Sequence, residues 1–262
     1  MYSFDYERPS GVSEAASAIG EDDRFLAGGQ TLIPTLKLRL AEAGKLVDLS
    51  RISDLKGISA NGSELTIGAM TRHADVAAST EVKSAIPALA YLASHIGDAQ
   101  VRNRGTIGGS IANNDPAADY PAALVGLGAT VHTNKRSISA EDFFVDLFET
   151  ALEDGEIITK VSFPIPETAG YAKFPNPASR FALTGVFVSK SPNGVRVAVT
   201  GAGPCVFRQT GMEAALEKNF SADAVSGIKT EASGLNADIH ASAEYRANLI
   251  SVMAARAIKA AS

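Results

Sequence analysis

The chain has 262 residues, enough for about two domains of ordinary size, which excludes a mini-protein held together by disulfides or metal. Its formal net charge is −5 and only 6% of its residues are aromatic, so a basic surface with interleaved stacking rings for nucleic acid is excluded. The single cysteine, Cys205, cannot form an intrachain disulfide or build an iron–sulfur or zinc site. The acidic N-terminus is unlike a signal peptide and no apolar run reaches transmembrane length, so we expect a cytoplasmic protein without a membrane span.

The first 54 residues are predicted to form an α/β unit. Residues 12–20 are predicted as a short helix and 24–26 as a strand that runs directly into Gly28-Gly29. A repeat at four-residue spacing then predicts a helix with one apolar face, formed by Leu32, Leu36 and Leu40. Residues 45–49 are predicted as a second strand. This strand, loop, helix, strand order is typical of an α/β fold.

The second predicted domain covers residues 55–166. A strand over 64–69 is followed by alanine-rich helices that extend to residue 95. Residues 102–116 are the densest run of turn-forming residues in the chain. The domain is then predicted to close with two strands, at 130–133 and 156–163. The change in pattern indicates a sheet separate from that of the first 54 residues.

One helix of this second domain has predicted boundaries at both ends. Asp115 is predicted to cap its N-terminus, with Pro116 at the first helical position. The helical run continues to Leu127, and Gly128 is predicted to end it. The helix therefore follows directly from the turn-rich segment.

Residues 167–262 are predicted as a third, α+β unit. Two β-branched runs, 185–189 and 195–200, flank Asn193-Gly194, which is a strong hairpin signal. Residues 211–262 are predicted to be mostly helical. Their last helix is expected to present one apolar face, formed by Tyr245, Leu249, Val252 and Met253.

Two glycine-rich loops, Ala27–Thr31 and Thr106–Ser110, are the candidate ligand-binding segments. Glycines allow a ligand to approach the backbone closely, and successive N–H groups near a helix start favour an anion such as a pyrophosphate. Taken singly, each glycine pair is better explained as a tight turn, and only the two loops together favour a ligand. The chain has no GxxxxGK[ST], so a P-loop kinase or ATPase is not supported. Neither loop reads GxGxxG, so a dinucleotide would bind by a route other than the Rossmann turn.

Four ordered blocks of sequence carry a resemblance to a known family. Residues 27–34, with 37–39 behind them, resemble the first FAD loop of the flavoprotein (medium) subunit of molybdenum hydroxylases, the carbon monoxide dehydrogenase and xanthine dehydrogenase family. Residues 100–119 resemble its second FAD loop. Residues 173–181 and 238–246 are similar to its C-terminal domain. The resemblance covers nearly the whole chain.

The resemblance implies an α+β, PCMH-type FAD-binding fold of two subdomains, 1–54 and 55–166, and a C-terminal domain, 167–262, with a small antiparallel sheet and helices. FAD would lie between the subdomains, with its diphosphate held by backbone N–H groups of both glycine loops. The cofactor-binding positions that it implies are Ala27, Gly28, Gly29, Gln30, Thr31, Thr106, Ile107, Gly108, Gly109, Ser110, Asp119, Ile158 and Lys173.

Several side chains keep two interpretations. From the sequence alone, Asp119 is equally well a first-turn acid favoured by the helix dipole. Lys173 is either a solvated lysine or a cation near the flavin N1–C2 carbonyl edge that stabilises the reduced ring. His73 either lines the cofactor cleft or is a hydrogen-bonded structural histidine. Arg102 and Arg104 could face phosphate, a partner subunit or solvent.

The remaining polar groups predict neither metal chemistry nor acid–base catalysis. The four histidines show no metal-ligand spacing, so no metal site is predicted on this chain. Cys205 is expected to be an inert thiol buried in a loop, because no base neighbours it in sequence. Catalytic residues in the usual sense are not expected, since the resemblance implies that the chain orients a cofactor and tunes its potential.

The resemblance implies an FAD-binding, electron-transfer subunit of an oxidoreductase. A molybdenum cofactor would lie on a large partner subunit and [2Fe-2S] clusters on a small one, in a dimer of heterotrimers, with FAD passing electrons to an external acceptor. Carbon monoxide, purines, N-heterocycles, aldehydes and aromatic acids stay open as substrates, and NAD, a quinone or oxygen as acceptor. The alternatives are a self-contained PCMH-type flavin oxidase or reductase and a non-catalytic scaffold without flavin.

Overall fold

The structure is a computed structural model that describes residues 1–261. Its first sheet is parallel and three-stranded, in the order β1-β3-β2, because the strands are joined by helices rather than by tight hairpins. Leu46 and Val47 of the central strand are buried. The elements of this segment are β1 (Asp5–Glu7), α1 (Val12–Ala18), β2 (Arg24–Leu26), α2 (Leu32–Lys37) and β3 (Lys45–Asp48).

Helix α2 is shorter than the leucine repeat predicts. Arg39 adopts a left-handed backbone conformation (φ 58°), and the N–H of Leu40 donates to the carbonyl of Thr35. This arrangement closes the helix, and Leu40 lies outside it, 75% exposed. The prediction that Leu40 continues the apolar face was therefore wrong, although Leu36 is buried as expected.

The second sheet is antiparallel and five-stranded, in the order β4-β5-β10-β6-β7. A separate two-stranded hairpin, β8-β9, precedes the strand β10 that joins the two halves of this sheet. The strands are β4 (Ile58–Ala60), β5 (Glu64–Gly68), β6 (Thr130–Thr133), β7 (Ser137–Ser139), β8 (Phe144–Asp146), β9 (Glu149–Thr150) and β10 (Ile158–Pro164). The helices are α3 (His73–Ala78), α4 (Thr80–Ala85), α5 (Pro87–Ser94), α6 (Ala99–Arg102), α7 (Ile107–Asn113), α8 (Tyr120–Leu127) and α9 (Ala140–Phe143).

Helix α8 ends as predicted but begins later. Gly128 terminates it in the left-handed conformation (φ 64°). At the other end, the Asp115 carboxylate accepts the N–H of Ala117 and closes a turn, so it does not cap the helix. The helix begins at Tyr120, with Pro121 in the first turn, where its missing N–H costs no hydrogen bond. All eight residues of α8 are buried, as expected for a helix that is apolar on every face.

The third sheet is antiparallel and four-stranded, in the order β11-β12-β13-β14. The predicted hairpin is confirmed, since Ser191 pairs with Gly194 across the turn. Residues 227–242 form no helix, so the prediction of a mostly helical C-terminus was too broad. The elements are β11 (Thr168–Pro175), β12 (Ala182–Ser191), β13 (Gly194–Thr200), β14 (Phe207–Arg208), α10 (Thr210–Lys218), α11 (Ala222–Ser226) and α12 (Ala243–Ala260).

Buried apolar clusters join the three sheets. The largest cluster centres on α5, α8 and the second sheet, and it reaches Tyr171 and Phe187 of the third sheet. A smaller cluster joins Val47 of the first sheet to Met70 and Ile157 of the second segment. The loop that follows β2, which begins with Ala27, is thereby held against the second segment. Within residues 1–261, no helix is long and apolar enough to cross a membrane.

The packing of α12 on the third sheet depends on Gly170. A methyl group at this position would lie 1.9 Å from the carbonyl oxygen of Ala257, so the helix would have to move. We expect Gly170→Ala to lower the free energy of unfolding by about 2 kcal/mol, as overpacking does elsewhere. Urea denaturation measures the change, with Gly227→Ala as the control, because a methyl group there meets no atom of residues 1–261 within 4 Å. Equal stability of the two variants would contradict this account of the packing.

Candidate functional site

The two glycine-rich loops lie in direct contact. A methyl group on Gly28 would lie 2.3 Å from the carbonyl oxygen of Arg104 and 2.7 Å from the Cα atom of Gly105. A methyl group on Gly109 would lie 3.4 Å from the Cβ atom of Ala27. The missing side chain of Gly28 therefore allows the backbones to approach each other. Their junction lies where the first and second segments of the chain meet.

A cavity of about 530 Å³ opens beside this junction, a size typical of cofactor sites. Apolar groups from both segments contribute to its walls, among them Phe25, Met70 and Leu152. Of the thirteen predicted cofactor-binding residues, Ile107 and Lys173 do not line it. The eleven that do are Ala27, Gly28, Gly29, Gln30, Thr31, Thr106, Gly108, Gly109, Ser110, Asp119 and Ile158.

The first loop presents a run of free backbone donors. The N–H groups of Gly28, Gly29, Gln30, Thr31 and Leu32 donate to no protein acceptor within residues 1–261. Thr31 precedes α2 without a side-chain cap, and Gly29 adopts a left-handed conformation (φ 73°). Because unpaired N–H groups at a helix start attract anions, this loop fits the diphosphate of a dinucleotide.

The second loop differs from the prediction of a second amide cradle. The N–H of Ile107 donates to the carbonyl of Thr71, and that of Gly108 to the carbonyl of Ala69. The side-chain oxygen of Thr106 accepts the N–H of Gly109, as an N-cap does for α7, and the carbonyl of Thr106 accepts that of Ser110. Four of the five expected N–H donors are therefore already paired. The loop instead lines the cavity with Gly108 and Gly109, which have no side chains.

Asp119 belongs to a buried network at the cavity wall. Its carboxylate, 3% exposed, lies 2.9 Å from the Lys173 ammonium and accepts the hydroxyl hydrogen of Tyr171. Burial raises the pKa of the Asp119 carboxyl, and the neighbouring Lys173 charge opposes that shift. The same burial, together with the Asp119 charge, raises the pKa of the Tyr171 hydroxyl, which stays protonated and donates.

Lys173 has a different position from the predicted one. Besides Asp119, its ammonium donates to the carbonyl oxygens of His95 at 2.8 Å and Arg180 at 2.9 Å, so its three N–H bonds are all used. Its side chain is 6% exposed and lies behind the cavity wall. Lys173 thus does not reach the cavity as a free cation. It holds Asp119 and the backbone of residues 179–181, which line the cavity, in place.

Glu156 is a cavity residue that the sequence analysis missed. Its carboxylate accepts two hydrogen bonds from Arg136, both at 3.1 Å, one from the Thr133 hydroxyl and one from the N–H of Glu153. Burial raises the pKa of Glu156, but these donors outweigh it and lower the pKa to about 2. An acid at the first position of a predicted strand carries no sequence signal for such a role.

The Glu156 interactions predict a pH-dependent contribution to stability. We expect Glu156→Gln to lower the free energy of unfolding by about 2 kcal/mol at pH 7, because an amide cannot accept all of these hydrogen bonds. The folded-state pKa lies below the ordinary value of 4.5, so this stabilisation is present above pH 4.5 and is lost as the pH falls towards 2. Urea denaturation at pH 7 and pH 3, with exposed Glu167→Gln as the control, measures it. A difference that does not shrink at pH 3 would contradict this account.

The remaining candidate residues differ in their surroundings, and only His73 among the four below lines the cavity. His73 lines the cavity and is 4% exposed, and its ring makes no hydrogen bond to residues 1–261. Arg102 donates to the carbonyl oxygens of Ile96 and Gly97 and therefore stabilises a turn. Arg104 is exposed and contributes its carbonyl at the loop junction. Cys205 is half-buried, with its sulfur 3.5 Å from the Asn114 amide.

Comparison with known proteins supports the interpretation of this cavity as a dinucleotide site. The family described as "FAD binding domain in molybdopterin dehydrogenase" matches residues 2–166. The chain is 35% identical to the carbon monoxide dehydrogenase medium chain of Hydrogenophaga pseudoflava, over 98% of this chain and 96% of that one. It is 33% identical to the nicotine 6-hydroxylase medium subunit of Paenarthrobacter nicotinovorans, over 97% and 95%. Quinoline 2-oxidoreductase from Pseudomonas putida 86 has a similar structure, with a TM-score of 0.89, 30% identity and coverage of 99% and 97%.

The fold and the site together define a class of protein, the FAD-binding subunits of oxidoreductases. The chain belongs to the FAD-binding medium subunits of the molybdenum hydroxylase family. The predicted PCMH-type fold and the predicted cofactor are thereby confirmed. The residues present fit FAD. Among residues 1–261, the cavity combines N–H groups at residues 28–32 that have no protein acceptor, a close backbone junction and a buried histidine ring without a hydrogen-bond partner.

Proposed function

We propose that this chain is the flavin subunit of a molybdenum hydroxylase complex, taking electrons from [2Fe-2S] clusters of a small subunit and passing them to an external acceptor. The observation that carries the proposal is the cavity that both glycine loops line, where N–H groups of the first loop have no acceptor in the described part of the chain. FAD, when bound, accepts electrons singly and releases them in pairs, which joins one-electron centres to a two-electron acceptor. The division at residues 54 and 166 is part of this proposal.

The residues of the chain would bind and orient the cofactor. The N–H groups of residues 28–32 would bind the diphosphate, while Ile158 and the other apolar residues of the cavity exclude water from the ring system. Asp119 is an ionisable group at the wall, and Lys173 and Tyr171 fix its position. This arrangement supplies a fixed electrostatic environment rather than a proton-transfer residue.

Partner subunits are part of the proposal. A [2Fe-2S] cluster takes four ligands, commonly four cysteines, and this chain contains one, so the clusters would lie on a small subunit and the molybdenum cofactor on a large one. Exposed apolar side chains such as Leu38, Leu40, Leu147 and Phe148 support burial against other chains. We propose a dimer of such heterotrimers in the cytoplasm.

The alternatives make different predictions for the purified protein. Native purification of the full chain, followed by identification of co-purifying chains, visible spectroscopy and metal analysis, is the test. We expect FAD in equal stoichiometry with this chain, and iron and molybdenum on co-purifying subunits. Bleaching of the flavin by an organic donor without other subunits would favour a self-contained oxidase or reductase. A colourless chain that takes up no added FAD would favour a scaffold.

A further inference from the structure

His73 lies at the point where the two glycine loops meet. It is the first residue of α3, and its backbone N–H donates to the carbonyl of Gly105 at 3.0 Å. A methyl group on Gly105 would lie 2.5 Å from Nε2 of the His73 ring. Since Gly28 contacts Gly105 from the first loop, the imidazole stands beside the junction at which the diphosphate is proposed to bind.

The ring of His73 lacks the hydrogen bonds that a structural histidine normally makes. Nδ1 is buried without a partner within residues 1–261, and so is the hydroxyl of Tyr120, whose ring centroid lies 5.4 Å away. By contrast, both ring nitrogens of His132 contact serine hydroxyls, and Nδ1 of His95 contacts a carbonyl. Buried polar side chains are nearly always paired. Nε2, the ring nitrogen beside Gly105, likewise has no hydrogen bond within residues 1–261 but is not fully buried, so it is the ring atom that a ligand in the cavity can reach.

The ring is neutral at pH 7. Burial and, second, the charge of Arg102 lower the pKa of His73 to about 4. A neutral imidazole carries one N–H donor and one acceptor nitrogen. A neutral donor next to the free N–H groups of residues 28–32 complements an anionic group without adding a buried charge.

We propose that His73 binds the cofactor directly, through a hydrogen bond from Nε2–H to an oxygen of the diphosphate at the Gly28–Gly105 junction. The inference rests on the proposed function, because it requires that the cavity binds a flavin dinucleotide. It assigns His73 a role that packing against Gly105 alone does not require. ADP, which carries the diphosphate without the flavin ring, is therefore a suitable second probe.

Two substitutions of His73, with side chains of similar length, separate the effect of hydrogen bonding from that of packing. His73→Gln retains an N–H donor at the end of its side chain, whereas His73→Met does not. In the full chain freed of bound flavin, we expect His73→Met to weaken binding of both FAD and ADP roughly 10- to 100-fold. His73→Gln is expected to stay within about threefold of the wild type. His132→Gln, outside the cavity, is the control, and fluorescence titration with circular dichroism measures affinity and folding.

The outcomes are distinguishable. Equal affinity in the wild type and His73→Met, or equal losses in the Met and Gln variants with a lower thermal midpoint, would overturn the His73 assignment alone. A wild-type chain that binds neither FAD nor ADP would overturn the proposed function as well. If His73→Met does not fold, the 15N resonances of the His73 ring in the wild type decide: we expect them to shift on addition of ADP, and unchanged resonances would contradict the assignment.

Discussion

Replacing Gly28 with alanine is expected to weaken FAD binding at least about 100-fold. The added methyl group would lie 2.3 Å from the Arg104 carbonyl oxygen and 2.7 Å from the Gly105 Cα atom, and neither is a flexible side-chain end. The two loops would have to separate by several tenths of an ångström. The N–H groups of the first loop and the surface of the second would then no longer face one diphosphate.

Fluorescence titration of the flavin-free full chain with FAD measures this loss. Gly211→Ala is the matched control, because its methyl group would meet its nearest atom at 3.5 Å, within ordinary contact distance. A thermal midpoint for both variants shows whether the loss is local to the site. An affinity of Gly28→Ala within about threefold of the control would show that the loop junction does not bind the cofactor.

Replacing Lys173 with methionine is expected to lower the free energy of unfolding by about 4 kcal/mol. The change removes the cation from a carboxylate that is 3% exposed and leaves the carbonyls of His95 and Arg180 without their donor. Burial then acts on the Asp119 carboxyl without opposition from the Lys173 charge, so the pKa of Asp119 rises further.

A double-mutant cycle separates the ion pair from the loss of packing. Adding Asp119→Asn to Lys173→Met removes the unpaired charge, so we expect the double variant to be more stable than the single Lys173 variant. Lys190→Met, at an exposed position on β12 of the same sheet, is the control. Urea denaturation of the wild type, Lys173→Met, Asp119→Asn, the double variant and the Lys190→Met control gives the comparison. If Lys173→Met is as stable as Lys190→Met, the buried network does not support the cavity wall.

Short sequence signals predicted individual helices, turns and strands. The pairing of strands that are distant in sequence could not be predicted from such signals. Gly128 and the Asn193-Gly194 turn act through a few neighbouring residues, so their effects were predictable. The parallel pairing of β1 with β3 joins Asp5 to Lys45, and no periodicity encodes that distance. The end of α2 at Lys37 likewise depends on the backbone of Arg39, a residue type that rarely marks a left-handed turn.

The candidate site, like the fold, was predictable only in part. The glycine pairs marked both loops in the sequence, because a close backbone approach needs glycine wherever the partner is. Which N–H groups of the loops are already hydrogen-bonded to the protein was not predictable. Those of Ile107 and Gly108 are paired by carbonyls of Thr71 and Ala69, more than thirty residues earlier in the chain. Lys173 meets Asp119 only through the pairing of distant elements, so its position required the structure.

Residue-resolved amide hydrogen exchange of the full chain, with and without FAD, tests most directly whether the first glycine loop holds the diphosphate. We expect the N–H groups of residues 28–32 to exchange quickly without FAD and slowly with it, because only then do they have acceptors. Those of Ile107 and Gly108, already paired, are expected to change little. FAD binding that leaves exchange at residues 28–32 unchanged would contradict the account.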